Sequence, residues 1–436
     1  MSGRVMKRYT VSLAGQDREL MVPAGNVAAE ITFTDFPALP NLLEALSDAL
    51  EHPIGCAQLS AHLQPGAKVA IPVGSRVTDW MLGVRHNLGI PLLDYLNRAG
   101  VRDEDVTILY AAGLHAIHKL RERFGEALLR RVRLVAHDPR DEANLAYCGV
   151  TSRGTPVWVN RIVAEADAVL GFGEISPTVQ GGWCGGGKII LPGVAGKDTI
   201  ETNHALSLAP PHTLFLADRN PMRLDMEEAA DLAGLTMKVD ILINSREEIV
   251  ALYAGDFRKE HRAALPMARQ IWLTKMAPTD IAVVYPNETR ERYLSRSLFG
   301  CLEASDWGTR EGGTIILVLS AAGGWAPPEE IPGESCGPEI FKLSLEELAR
   351  RIVRKQGYVR GTVMLYTAKR VLSRKRVILV SDGISHDDAK EFGFAHSIRS
   401  FDKALSIAFG QHGPDATISM NLTRGVGWRC GPWIED

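Results

Sequence analysis

The chain lacks what would commit it to a membrane, to nucleic acid or to a disulfide scaffold. No run of about 18 apolar residues occurs in its 436 residues, so nothing reads as a membrane span. Charge of one sign is missing too: 49 Lys and Arg stand against 52 Asp and Glu, a net of −3. Without a basic excess, neither nucleic acid nor an anionic membrane is an expected partner. Six cysteines (Cys56, Cys148, Cys184, Cys301, Cys336 and Cys430) are scattered, with no C-x-x-C pair. That pattern argues against a disulfide framework or a thiolate zinc site and fits a reducing compartment. The opening "MSGRVMKRYTVSLAGQDREL" alternates like an edge strand and lacks the apolar core of a signal peptide, so a cytoplasmic location is expected. Internal repeats and low-complexity segments are absent as well.

What is present is an ordinary globular composition, 45% hydrophobic and 23% charged, long enough for two or three domains at roughly 150 residues each. Short apolar, β-branched runs recur: "KVAIPV" (68–73), "VTILYAA" (106–112), "VRLVAH" (132–137), "AVLGFG" (168–173) and "VDILIN" (239–244), then "DIAVVYP" (280–286), "TIILVLS" (314–320), "RVILVSD" (376–382) and "ATISM" (416–420). Amphipathic helical stretches separate them, at 39–52, 119–132 and 345–356. This alternation predicts an α/β protein with mainly parallel sheets flanked by helices. The expected boundary lies near "ARQIWLTKMAPTD" (268–280), giving an N-terminal domain of residues 1–270 and a C-terminal domain of 279–436 whose last residues pack back on the first. In such folds loops beyond the carboxyl ends of the strands carry the chemistry. The active site is expected in the cleft between the domains.

One stretch, "QGGWCGGGKIILPGVAGKDT" (180–199), contains two near-misses of the phosphate loop G-x-x-x-x-G-K-[ST]. Gly182 to Lys188 keeps the glycines and the lysine, but Ile189 stands where a hydroxyl would meet Mg²⁺. Lys197, in "GVAGKDT", follows too short a glycine spacing. Three readings stay open: a nucleotide loop, a flexible loop with a solvated lysine, and bare backbone against which a bulky ligand lies with Lys188 pointing at it. Three other polar sites follow predicted strands or turns. "VGSRVTDW" offers Ser75, Arg76, Thr78 and Asp79, and an arginine fork suits a carboxylate or phosphate as well as a surface ion pair. "AAGLHAIH" places His115 and His118 three apart, fit for metal ligation or for one loop histidine acting as a base. "ETNHAL" supplies His204, sixteen residues after Lys188.

Taken together, the segment "NLAYCGVTSRGTPVWVNRIVAEADAVLGFGEISPTVQGGWCGGGKIILPGVAGKDTIETNH" resembles the nickel-dependent lactate racemase family. So do "PALPNLLEALSDALEHPIG", the "GLH" at 113–115 and "INSREEIVALYAGDFRKEH" (243–261). The resemblance implies a nickel pincer nucleotide, a pyridinium derivative that holds nickel by carbon and sulfur. It would be attached covalently through Lys188, with His204 completing the nickel coordination and Ser75, Arg76, Thr78, Gly186 and Gly187 around the cofactor. It also implies separate enzymes that synthesise the cofactor. The implied chemistry is reversible hydride transfer from C2 of a 2-hydroxy acid, with His115 as base and Arg76 beside the reacting group.

Departures from the family pattern cluster on the substrate. The family's second histidine, in a motif close to G-x-x-E-P-H, meets "GEISPT" here, so Ser176 and Thr178 replace glutamate and histidine. A threonine hydroxyl donates or accepts a hydrogen bond but is no base near neutral pH. Val73 stands where the family has an aspartate three residues before the arginine. In the second domain "YPNETRERYLSRSLFG" keeps Tyr293 but has Leu294 and Ser297 where the family has glutamine and lysine. With Arg76, Thr178 and Tyr293 on the substrate, the resemblance implies a racemase or epimerase of a 2-hydroxy acid other than lactate, with a larger hydroxy acid or sugar acid as candidate. The alternative is a degenerate relative that binds cofactor or ligand without racemase turnover, or performs another hydride-transfer reaction.

Overall fold

The structure, a computed structural model, describes residues 4–74, 81–115, 120–209, 215–327, 336–422 and 430–433. The chain divides into two compact units, residues 35–268 and residues 1–34 with 269–436. The first 34 residues therefore leave the N-terminal domain to which the sequence assigned them. They form a hairpin, β1 (Met6–Leu13) with β2 (Gln16–Pro23), turning at Ala14 and Gly15, and then β3 (Val27–Glu30). The physical reason is hydrophobic: Val11, Leu20 and Val22 of the hairpin are buried with Ile281, Val283, Ile316 and Ile418 of the later sheet.

In the unit of residues 35–268 the chain runs through β4 (Val69–Gly74), β5 (Val106–Ala111), β6 (Arg133–Ala136), a hairpin β7 (Leu145–Val150) and β8 (Pro156–Asn160), and β9 (Ala168–Glu174). A two-residue pair follows, β10 (Pro177–Thr178) with β11 (Gly182–Trp183), then β12 (Leu235–Ile243) and β13 (Ile249–Gly255). Six of these build one sheet in the order β13-β12-β9-β4-β5-β6, parallel throughout except for antiparallel β13. From β4 the chain moves one way to β5 and β6, then returns to place β9 and β12 on the other side of β4. The strand order thus reverses between β4 and β9, where doubly wound sheets leave a crevice for ligands. The helix expected over 119–132 is two short ones, Leu120–Phe124 and Glu126–Leu129, because Gly125 at φ 76° breaks the run.

The other unit adds β14 (Leu273–Lys275), β15 (Thr279–Val284), β16 (Thr309–Val318), β17 (Arg376–Val380), β18 (His396–Ile398), β19 (Ile418–Asn421) and β20 (Gly431–Trp433). Its sheet, in the order β18-β17-β16-β15-β19-β3, is wholly parallel. Side chains alternate between two cores. Ala282, Val284, Ile315 and Leu317 face one, while Ile281, Val283, Ile316 and Val318 face the other. That two-sided burial is why these strands read as unbroken apolar runs. The order reverses again, between β15 and β19. No helix among the described residues is long and apolar enough to cross a membrane.

Candidate active site

Strand β9 ends at Glu174, beside the end of β4, and leads into the glycine-rich stretch. Ser176 is buried, and its carbonyl accepts the Cys184 N–H at 2.7 Å, closing the β10–β11 hairpin over residues 179–181. A 3₁₀ turn, Gly186–Ile189, then presents Lys188. Lys188 is half-buried, and its ammonium has neither an ion-pair nor a hydrogen-bond partner among the described residues. A Cβ at Gly181 would lie 3.4 Å from Thr178 Cγ2 and 3.8 Å from Lys188 Cε. Thr178 and Lys188 therefore flank the same bare backbone.

Gly186 and Gly187, expected around the cofactor, are packed against protein on the side a Cβ would occupy. A Cβ on Gly186 would sit 2.9 Å from the Phe257 carbonyl oxygen, and one on Gly187 would sit 3.1 Å from Ala230 Cβ. Both are bare because the turn is pressed against protein, and Gly186 also holds φ 56°. The glycine that opens space beside Lys188 is Gly181.

The support beneath the loop is a buried set of charges. The helix Pro221–Leu232 begins with Asn220 as N-cap and Pro221 in its first turn, a favoured start. Asn220 also donates to the Gln180 carbonyl at 2.9 Å, tying the helix start to the hairpin. From this helix the fully buried Arg223 donates to the carbonyls of Gly181 (3.1 Å), Trp183, Cys184 (3.4 Å) and Gly185 (3.4 Å). Across the loop, Asp240 of β12 accepts the Gly186 N–H at 2.6 Å and pairs with Lys238. Lys238 and Asp240 stand opposite Gly171 and Gly173 of β9 in the register, and those glycines leave space for their side chains. Glu260 lies buried nearby. Burial, reinforced by the Asp240 carboxylate, pushes its carboxyl well above the usual range. Burial, with Arg223 and Arg262 adding to it, holds His261 well below its usual value. Its neutral ring donates from Nε2 to the Cys184 carbonyl at 2.9 Å. A loop of bare backbone is thus gripped by a guanidinium on its carbonyls and a carboxylate on its N–H.

The same helix carries the second anchor. Lys197–Ala205 is a helix whose Asn203 donates to Asp225 Oδ2 (2.8 Å) and to the Met222 carbonyl (3.0 Å). Asp225 is held in turn by Thr151 and Thr155. His204 follows, 4% exposed, with Nδ1 2.7 Å from the Ile200 carbonyl oxygen. Facing a carbonyl, which can only accept, Nδ1 is a donor. That is how a backbone carbonyl orients a metal-binding imidazole. The turn bearing Lys188 and the helix bearing His204 therefore rest on one platform, Pro221–Leu232.

His115 lies at the end of the loop after β5, exposed to solvent. That loop docks through Gly113, whose N–H donates to the Gly193 carbonyl at 3.0 Å, and Gly193 in turn donates to the Lys188 carbonyl at 3.4 Å. The His115 and Lys188 segments therefore meet at Pro192–Gly193. Ser75, Arg76, Thr78, Asp79 and His118 lie outside the described residues, although β4, which leads to the first four, ends at Gly74 between β5 and β9. Among the described residues no group of three or more His, Cys, Asp or Glu side chains is placed to hold a metal. In the other unit Tyr293 precedes the short helix Leu294–Leu298 after β15, its ring packed over Gly323. Leu294 is buried, and the Ser297 hydroxyl donates to the Arg290 and Tyr293 carbonyls, so both serve the local fold.

Sequence reasoning missed Arg223, Asp225, Lys238 and Asp240. A signal existed for the last two: opposite charges two apart in the apolar run "LTMKVDILI" share one face of a strand.

Known proteins align with this arrangement. The family model described as the lactate racemase N-terminal domain matches residues 14–214. The lactate racemase of Thermoanaerobacterium thermosaccharolyticum is 27% identical over 388 residues, covering 85% of this chain and 87% of that protein. The lactate racemase of Lactiplantibacillus plantarum is 24% identical over 389 residues, covering 86% and 88%. The solved lactate racemase apoprotein from T. thermosaccharolyticum superposes with a TM-score of 0.79 at 23% identity, covering 99% of this chain and all of that one. A crystal structure of a Thermotoga maritima protein aligns with a TM-score of 0.58 at 17% identity, covering 92% of this chain. In sequence along most of its length this chain is similar to lactate racemases, its residues 14–214 match their N-terminal domain, and nearly all of it shares the lactate racemase fold.

Proposed function

We propose that this chain is a racemase or epimerase of a 2-hydroxy acid other than lactate, working with a nickel pincer nucleotide attached through Lys188. The observation that carries the proposal is the convergence of Lys188 and His204 on the helix Pro221–Leu232, at the point where the strand order reverses. The residues fit such a group. Lys188 offers an amine with no ion-pair or hydrogen-bond partner among the described residues, and His204 offers an imidazole held at Nδ1 by the Ile200 carbonyl. One imidazole is an incomplete donor set, as suits a metal whose other ligands belong to an organic group. The chemistry this group supplies when bound is reversible acceptance of a hydride from the carbon that bears the hydroxyl.

The protein's own part is acid–base work and orientation. His115 takes the hydroxyl proton as the C2–O bond becomes a carbonyl and returns it in the reverse direction. Arg76 pairs the substrate carboxylate through its two-pronged fork. The Thr178 hydroxyl, across the bare backbone from Lys188, hydrogen-bonds a substrate oxygen. Separate enzymes make the cofactor.

Lys188→Ala tests the reading. Produced alongside cofactor-synthesis enzymes, the wild type should gain covalent mass and nickel, and the variant neither. Equal mass and equal nickel in the two would end the proposal. A second reading, a relative that binds without turnover, is favoured by Thr178, which supplies no base on its face of the site. Mixing of C2 epimers across a panel of hydroxy acids separates the two, since only the enzyme produces it.

A further inference from the structure

We infer that Gln180 reads the substrate, and that the acid it selects carries another oxygen at C3 or beyond; this rests on the function proposed above. Gln180 occupies the turn between β10 and β11, one residue before the bare backbone flanked by Thr178 and Lys188. Its side chain is only 8% exposed, and its amide Nε2 is buried with no hydrogen-bond partner. The backbone around it is well satisfied, since the Gln180 carbonyl accepts from Asn220. An unpaired buried amide is costly, and native structures keep few of them. No described residue repays this one, and it directly precedes Gly181, the backbone flanked by Thr178 and Lys188.

An N–H donor calls for an acceptor. In the proposed arrangement the C1 carboxylate belongs to Arg76 and the C2 hydroxyl to His115. A third oxygen must therefore meet Gln180, either a hydroxyl or a second carboxylate. Lactate, with only a methyl at C3, leaves the amide unpaired. Sites built around a polar group reject analogues that lack its partner far more strongly than apolar pockets reject a wrong size. The expected preference over lactate is about 10⁴-fold in kcat/KM.

Gln180→Met, nearly isosteric and apolar, tests this on two independent readouts. In the protein without cofactor, thermal unfolding should shift upward or stay unchanged, because an orphaned polar group has been removed. A clear downward shift would show that the amide has a structural partner and would overturn the assignment. In the loaded protein the probes are glycerate, gluconate, malate and lactate. Wild type should favour an oxygen-bearing acid over lactate, and the variant should bring the ratio within about tenfold. Glycerate or gluconate leading would identify a hydroxyl as the partner, and malate leading a carboxylate. Gln180→Glu, an acceptor in place of a donor, should depress malate most if a carboxylate is read. An unchanged ratio in both variants sinks the Gln180 assignment alone, provided Lys188 still gains covalent mass. Absence of that mass in wild type removes the function proposed above, and this inference with it.

Discussion

The two units solve one problem, holding loops at the carboxyl ends of a parallel sheet, in opposite ways. After β15 the loop holds itself. Asn287 Oδ1 accepts from the Thr289 and Arg290 N–H groups, the Ser297 hydroxyl caps two carbonyls, and the Glu291 carboxylate takes the Ala14 and Ser320 N–H groups. After β9 the loop has five glycines between residues 181 and 187 and few side chains with which to do the same. Its order comes from outside, through Arg223 and Asp240. Buried charges are a poor source of net stability against well-packed apolar groups, but removing one partner from such a set is expensive. Their presence under one loop suits a backbone that must be both bare and fixed.

Arg223→Met should give the largest effect. It removes every guanidinium contact to the carbonyls of residues 181–185 and takes away a cation 3.6 Å from the buried Glu227 carboxylate. The expected loss is roughly 3–5 kcal/mol in the unit of residues 35–268. Peptide-level hydrogen exchange checks where it falls: protection should drop over 181–190 and stay unchanged over 287–300. Equal loosening of both loops would break the contrast between them.

Glu303 sharpens the comparison from the other side, as a buried carboxyl held by the Gly300 N–H and the Thr367 hydroxyl. Burial pushes it up from the ordinary 4.5 to about 7. A raised folded value means that stability is fully present below pH 4.5 and is lost as pH rises through about 7. The full loss is about 3 kcal/mol. Glu303→Gln should flatten this slope in pH-dependent denaturation. The amide can accept from the Gly300 N–H and donate to Thr367 Oγ1, which passes its own proton to the Met364 carbonyl. Parallel slopes in the variant and wild type would assign the pH dependence elsewhere.

The sheets were legible because their strands are buried on both faces, so "KVAIPV" or "RVILVSD" announces itself without a partner. The edge of the second sheet was not. β3 (Val27–Glu30) is short and only partly buried, and pairing with β19 rather than with a nearby strand leaves no local trace. The family resemblance singled out Lys188 and His204, and the structure adds the helix on which both segments rest. Arg223 and Asp225 could not be read, because a charged residue in an amphipathic helix looks solvent-facing until its partners, 20 to 70 residues away in sequence, are known. The glycines were half legible for a related reason. Sequence shows that backbone is bare but not what lies against it.

That last ambiguity yields a pair of substitutions with opposed outcomes. Gly186→Ala forces a side chain onto φ 56° and against the Phe257 carbonyl, which should cost about 1–3 kcal/mol, read as a lowered unfolding midpoint. Gly181 has no such constraint. Its φ is not positive, and a Cβ there meets Thr178 Cγ2 at 3.4 Å and the Trp183 carbonyl oxygen at 3.6 Å, ordinary contact distances. Gly181→Ala should therefore unfold within about 0.5 kcal/mol of wild type, or slightly later, since alanine narrows the unfolded ensemble. The added methyl nevertheless stands between Thr178 and Lys188. Covalent loading at Lys188, followed by intact mass, should be slowed in Gly181→Ala despite its stability, whereas any loss in Gly186→Ala should track its stability. Loading at the wild-type rate in Gly181→Ala would mean that the space beside Lys188 is not where the ligand lies, and the glycine would revert to a loop residue like its neighbours.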